Sequence, residues 1–252
     1  RLVDARTYNK ITGEDLATAV GIKKQAISQF ENGKASPEYG TVCKISNVLR
    51  FPVQFFYEDD IPVLQGNTYF RALFTSNKHE LNSQKIKTKY VAQIYATLTR
   101  YVDFRAYNVP VFEDTTDISK IASQLRDYWG LGQEPIPDMV SLLERNGVVM
   151  SEFATDSSKI DAFSQYDEIK GVPYHCIVLG TEKGSFVRRQ FSCAHELGHI
   201  ILHEKYEDLS EISREDFRRR EDEANTFAAE FLLPREAFLA DLQRHANKLN
   251  RY

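Results

Sequence analysis

The residues best suited to do chemistry are His195, Glu196 and His199, in the run Phe191-Ser-Cys-Ala-His-Glu-Leu-Gly-His-Ile-Ile-Leu-His203. They form an H-E-x-x-H motif. On a helix, side chains four residues apart stack on one face about 6 Å apart along the axis, so two imidazoles can grip one ion. Glu196 follows the first histidine by about 100° of rotation. That sets a carboxylate beside the ion, where it can act as general base on water. A structural metal site would need a fourth protein ligand, often Cys. Cys193 does not fit with the two histidines, and no C-x-x-C pair occurs, so the spacing favours a catalytic site.

A third ligand must come from elsewhere. His203 lies eight residues beyond His195, about 12 Å along the axis, too far to share the ion. The position ten residues after His195 is Lys205, which rules out a third histidine there. The candidates fall in Glu221-Asp-Glu-Ala-Asn-Thr-Phe-Ala-Ala-Glu-Phe-Leu-Leu-Pro234. Ala224, Phe227, Ala228 and Phe231 make the buried face of that helix, with Glu221 about 60° from its centre and Glu223 about 100° away on the opposite flank. Glu221 is therefore the expected ligand and Glu223 the runner-up. Asn225, one turn beyond Glu221 on the same side, can hydrogen-bond a ligand from behind. The expected mechanism uses His195, His199 and Glu221 to hold the ion and Glu196 to move the proton. Help for a developing oxyanion could come from Tyr206, His203 or His175, and the sequence does not separate them.

These side chains need a helix that is buried on most sides and open along one polar wedge. His195, Glu196, His199 and His203 fall within about 100° on a helical wheel, with Ala194, Leu197 and Ile201 turned elsewhere. Gly198 allows a neighbour to approach closely. The supporting elements are two helices, 118–129 and 137–145, and strand-like runs at 148–153, 160–164 and 174–179, rich in β-branched and aromatic residues. Together they predict an α+β domain with a small antiparallel sheet. Tyr174–Leu179 is the expected edge strand for an extended peptide.

At the other end of the chain, four short helices are expected, around 2–11, 14–20, 23–31 and 41–49. Gly21 closes the second and Asn32-Gly33 the third. Two short helices joined by a tight turn inside an all-α unit follow the helix-turn-helix plan, whose third helix enters the major groove N-terminal end first. Glu58–Asn67, with Pro and Gly, reads as a linker. After it, Ile86, Tyr90, Val91, Ile94, Tyr95, Leu98, Tyr101 and Val102 predict one amphipathic helix over 84–105. Lys85, Lys87, Lys89 and Arg100 should fall mostly on its wet side, and the helix suits a spacer or a homodimer contact. The implied domains are 1–57, a connecting region 58–112, and 113–252.

Composition sets the limits. A chain of 252 residues with 42% hydrophobic content fits one large domain or two small ones. The net charge of −4 argues against a general nucleic-acid binder. Residues 1–57, however, carry eight Lys/Arg against five Asp/Glu, and 68–110 carry seven against two, so DNA contact is expected from the N-terminal part. Three scattered cysteines (Cys43, Cys176, Cys193) read as reduced thiols. With no signal peptide and no apolar run near about 20 residues, a cytoplasmic protein with no membrane partner is expected. The chain opens on Arg1 rather than Met, so further residues are expected ahead of it.

Two resemblances sharpen these expectations. The pattern Leu16-Ala17, Gly21-Ile22, Ile27-Ser28, Phe30-Glu31-Asn32-Gly33-Lys34 and Pro37 resembles the XRE family of helix-turn-helix repressors across residues 1–56. The resemblance implies double-stranded operator DNA as partner. Its reading surface would be the basic, amide-rich third helix, with Lys23, Lys24, Gln25, Ser28 and Gln29, and Lys34 would reach a phosphate. Gly13 stands where that family usually carries a Gln that touches the DNA backbone.

The second resemblance rests on Ile121-Ala-x-x-Leu-Arg-x-x-Trp-Gly-Leu-Gly132, Pro135-Ile, Leu142-Leu-Glu-x-x-Gly147, the H-E-x-x-H run, and Glu221-x-x-Ala-Asn-x-Phe-Ala-Ala-Glu-Phe-Leu-Leu-Pro234. It is similar to the ImmA/IrrE family of gluzincin-type metallopeptidases. That implies a zincin-like fold, Zn2+ or alternatively Mn2+, and cleavage of a transcriptional repressor. The alternative of a different class is a metal-binding transcription factor or antirepressor that no longer cuts.

Overall fold

A computed structural model describes residues 1–70, 78–113, 116–154, 161–169, 171–181, 185–203 and 212–249, with the backbone alone at 67–70 and 245–249. By internal packing the chain divides into two units. The first comprises residues 1–63 together with the long helix α5 as far as Tyr95. The second comprises Leu64–Phe70 and the described residues from Ala96 onward.

In the first unit, α1 (Leu2–Tyr8), α2 (Gly13–Val20), α3 (Lys24–Glu31) and α4 (Tyr39–Leu49) surround a core of Ala5, Leu16, Ala17, Val20, Ile27, Ile45 and Leu49. Thr12 starts α2 with a capping box: its hydroxyl accepts from the Asp15 amide, and the Thr12 amide donates to the Asp15 carboxylate. Gly21 ends α2 at φ 78°, a backbone state open to glycine, and this makes the tight turn into α3. Arg6 ties α1 to α3 through Glu31 at 2.6 Å.

Helix α5 spans Lys78–Leu98, starting and ending earlier than its periodicity predicts. Its Tyr90 ring packs with Tyr8, Phe51 and Phe55. Lys89, expected to face water, instead donates to Asp4 and Asp60, each at 2.6 Å, and Gln93 donates to Asp60 and to the Ile61 carbonyl. The periodicity counted Lys89 as solvated because its two acidic partners are remote in sequence.

The second unit holds β1 (Leu64–Phe70), α6 (Ile118–Tyr128), α7 (Met139–Arg145), β2 (Val149–Phe153), β3 (Ala162–Ile169), β4 (Val172–Gly180), α8 (Phe186–Leu202), α9 (Arg214–Leu232) and α10 (Arg235–Leu249). Three differences from the sequence reading matter. Part of the expected linker is strand β1. The sheet, of order β1-β3-β4-β2, is mixed: β1–β3 and β3–β4 are antiparallel, but β2 runs parallel to β4. And β4, read as an edge strand, is interior, with β3 bonded on one side and β2 on the other, so it has no free edge for a peptide.

One face of this sheet carries Ala162, Ile177 and Leu179 against Cys193, Ala194 and Leu197 of α8, with Phe227, Ala228 and Phe231 of α9 in the same core. Each such fully buried large side chain contributes about 1.5–3 kcal/mol. Arg126, on α6 and 3% exposed, donates to the carbonyls of Gly132, Glu134 and Phe231, fixing the end of α9. Gly198 lets α8 and α9 meet: a Cβ there would lie 3.1 Å from Phe227 and 3.2 Å from the Ala224 Cα.

Candidate functional site

Ser185 caps the start of α8, which runs unbroken through the H-E-x-x-H turn. Every residue from Cys193 to His199 is buried. The Nε2 atoms of His195 and His199 lie 3.1 Å apart. The closeness of α9 at Gly198 brings Glu221 to the same point, with its carboxylate oxygens 3.5 Å from His195 Nε2 and 3.3 Å from His199 Nε2. Ligand atoms from all three residues fall within 4.8 Å of one another. Ligands about 2.0–2.1 Å from a tetrahedral ion sit about 3.4 Å from each other. The three separations match that edge length, so the residues fit a metal ion as three of its ligands.

The outer nitrogens of both histidines are also engaged. His195 Nδ1 is 3.0 Å from Asn225 Oδ1. His199 Nδ1 is 2.9 Å from His203 Nδ1, whose own Nε2 is 3.1 Å from Glu223 Oε2. One proton assignment satisfies every pair once the Nε2 atoms face an ion: His195 donates to Asn225, His199 donates to His203, and His203 donates to Glu223. His203, too distant to share the ion, thus backs up His199, and Glu223 partners His203 rather than the cluster. Sequence reasoning missed this relay. Its available signal was His203 one turn beyond His199, on the same wedge as Glu196.

Burial depresses the basicity of His199 to about 4 and of His203 to about 2, the neutral forms that this assignment requires. Burial works to raise the Glu221 carboxyl, but the His195 and His199 imidazoles outweigh it and hold it down at about 2. Glu196 behaves oppositely: burial pushes it up to about 7, against the opposing pull of the His195 imidazole. Its Oε2 is enclosed and has no hydrogen-bond partner among the described residues. A buried, unsatisfied carboxylate oxygen beside a three-ligand cluster suits a polar molecule bound between them. Of the oxyanion candidates, His203 is taken up by the relay, His175 stacks on Tyr107 at 4.7 Å, and Tyr206 lies outside the described residues.

In the first unit, Lys23, Lys24, Gln25, Ser28 and Gln29 are all exposed along α3, and so is Lys34 beyond its end. Only Ile27 of that helix is buried. Lys24 donates to Glu14 of α2 at 3.0 Å, with both side chains about 70% exposed. Such a pair contributes about 0–1 kcal/mol. Ser28 is engaged locally, its carbonyl accepting from the Asn32 amide group at 2.7 Å.

Comparison with known families agrees with this division. A helix-turn-helix family model matches residues 4–56, and a model described as the IrrE N-terminal-like domain matches residues 143–251. The chain joins a helix-turn-helix domain to an IrrE-type peptidase domain. No curated protein and no solved structure matches it. The stretch matched by the peptidase model contains the whole His195–His199–Glu221 cluster, and the helix-turn-helix match contains all the exposed α3 residues. Among the described residues, no helix is long and apolar enough to cross a membrane.

Proposed function

We propose that this protein is a metal-dependent endopeptidase that cleaves another DNA-binding regulator, a transcriptional repressor, and that its own helix-turn-helix domain addresses it to operator DNA. One observation carries the reading: His195, His199 and Glu221 converge at metal-ligand spacing beside a buried Glu196. His195, His199 and Glu221 would hold the ion, Zn2+ or Mn2+. When bound, the ion supplies Lewis-acid polarisation of the scissile carbonyl and activation of water.

The chain's own residues do the rest. Asn225 and the His203–Glu223 pair keep the two imidazoles turned toward the ion. Glu196 accepts the proton of the attacking water and returns it to the leaving amine. Positive charge held by the three ligands favours ionised Glu196 and so readies it as a base. Lys23, Lys24, Gln25, Ser28 and Gln29 form the groove-facing surface, and Lys34 takes a phosphate.

The test pairs the purified protein, loaded with Zn2+, with the small repressor encoded nearest to its gene, and follows fragments by mass spectrometry. Wild type should cut at a defined bond, and Glu196→Gln should retain metal yet cut about 10²–10⁴-fold more slowly. Equal cleavage by Glu196→Gln would sink the assignment of the base. Operator binding that survives in a chain with no cleavage of any kind would favour the non-cutting regulator instead.

A further inference from the structure

The strand nearest the proposed base is β3. Ser164 of β3 is close enough to the Glu196 carboxyl to bear on its charge. On one side, β3 is bonded to β4 along its whole length, from Ala162↔Leu179 to Ile169↔Val172. An extended polypeptide that joins the sheet beside Glu196 therefore has one edge to use, the outer edge of β3. Strand β1 of this same chain lies there, antiparallel, with Tyr69 opposite Ser164 and Phe70 opposite Phe163. Its backbone runs where a substrate segment would have to lie.

Strand β1 is weakly held compared with its neighbour. Its sequence, Leu64-Gln-Gly-Asn-Thr-Tyr-Phe70, carries Gly66 and Asn67 at the centre, and both are poor strand formers. The register breaks at those residues, between Gln65 and Thr68, whereas β3 and β4 pair without interruption. Leu64, at its start, is 57% exposed. The described segments on either side of β1, Arg1–Val63 before it and α5 as far as Tyr95 after it, belong to the helix-turn-helix unit. The strand is thus tied at both ends to the DNA-reading unit while it contributes to the peptidase sheet.

We propose that β1 is a resident strand on the substrate edge. The outer edge of β3 receives an extended, antiparallel segment of the protein substrate, and does so when β1 withdraws. This rests on the endopeptidase reading for its purpose, but not for its test. Recognition at such an edge comes mainly from main-chain hydrogen bonds, so the partner is an unfolded or extended polypeptide rather than a folded surface. While β1 stays in place, apparent affinity for such a segment is reduced by the fraction of molecules with the edge open.

Two kinds of variant test this. In Leu64→Cys with Glu168→Cys, facing positions at the far end of the ladder, a disulfide can lock β1 down, since opposed antiparallel Cα atoms lie about 4.5–5.5 Å apart. Thr68→Pro and Tyr69→Pro, made separately, loosen it. Neighbouring residues of a strand point their N–H groups to opposite sides, so one of the two prolines removes a bond to β3. The first readout is fluorescence anisotropy of a labelled peptide, Leu-Gln-Gly-Asn-Thr-Tyr-Phe, added to each variant in a Glu196→Gln background. The second is turnover of fluorescent casein by the same variants with Glu196 intact.

The peptide should bind a loosened variant about tenfold or more tightly than the wild type, and should not bind the oxidised lock until a phosphine reductant is added. Casein turnover should rise in the loosened variant and fall in the lock. Where the wild type cuts casein, unchanged turnover in the oxidised lock would overturn the proposal; absence of peptide binding to every variant would overturn it in any case. If no protein cuts casein but the peptide still distinguishes locked from loosened chains, the edge assignment stands and the endopeptidase reading fails. Should both proline variants unfold by circular dichroism, the reversible effect of the lock decides alone.

Discussion

Helices α3 and α8 each carry one of the protein's two proposed activities, and they present their side chains in opposite ways. In α8, His195, Glu196 and His199 are 3%, 2% and 1% exposed, and α9, β3 and β4 pack around the helix. In α3, the proposed reading residues all face water and only Ile27 is buried. The difference follows from the tasks. A metal centre needs atoms fixed to a fraction of an ångström, so its residues are held by packing and by partners on neighbouring elements. A DNA-reading surface meets its partner from solvent, so its side chains keep their freedom until the groove is there. Substitutions in α8 and its surroundings should therefore damage chemistry or folding, and substitutions of the exposed α3 residues should damage neither.

The largest expected effect is that of Glu196→Gln, a loss of about 10²–10⁴-fold in cleavage with the fold retained. Next comes a buried carboxyl away from the cluster. Asp167, enclosed on β3, accepts from Tyr174 and Gln165, yet burial pushes it up to about 7. Between about pH 4 and 7 the native state keeps a proton that the unfolded chain has released, so stability falls as pH rises across that window and levels off above it. Asp167→Asn should flatten this slope, with a gain relative to wild type between pH 5 and pH 8 on the order of a few kcal/mol in urea titrations. An unchanged slope would mean that the carboxyl titrates normally.

A smaller effect is expected for His203→Ala, which removes the partner of His199 without touching a ligand. Zinc affinity measured against a competing chelator should drop about 10–100-fold. Gly198→Ala should cost about 1–3 kcal/mol in a denaturant melt, because Phe227 and the Ala224 backbone stand just over 3 Å from the new methyl. At the small end, Lys24→Ala should leave stability within about 0.5 kcal/mol while weakening operator binding and lowering its salt dependence by about one counterion. A large loss of stability there would break the contrast between the two helices.

What the sequence made legible follows the same contrast. The polar wedge of α8 could be read because its residues repeat with the helical period and their chemistry is fixed by spacing. Glu221 could be separated from Glu223 because the apolar face of α9 leaves them on opposite flanks, and it is Glu221 that the fold brings to the histidines. The features that stayed hidden depend on residues far apart in the chain. Strand β1 looks like linker because Gly66 and Asn67 interrupt it, and its partner β3 begins almost a hundred residues later. Lys89 looks solvated because Asp4 and Asp60 meet it only after α5 folds back on α1. The parallel pairing of β2 with β4 depends on how the chain returns to the sheet, which strand propensity does not encode. The DNA target is unreadable for another reason: the fold buries none of the proposed contact residues on α3 and holds Lys24 only by an exposed ion pair.

The ligand cluster draws two members from α8 and one from α9, two helices that already touch at Gly198. An ion bound there fastens them together, so the folded peptidase unit gains RT ln(1 + [metal]/Kd), about 2.7 kcal/mol at a hundred times the dissociation constant. The helix-turn-helix core contains none of these ligands and gains nothing. Scarcity of metal would then shorten the working life of one half of the molecule and spare the other. On the proposed function, the supply of a trace element would then set the ratio of cleavage to DNA binding.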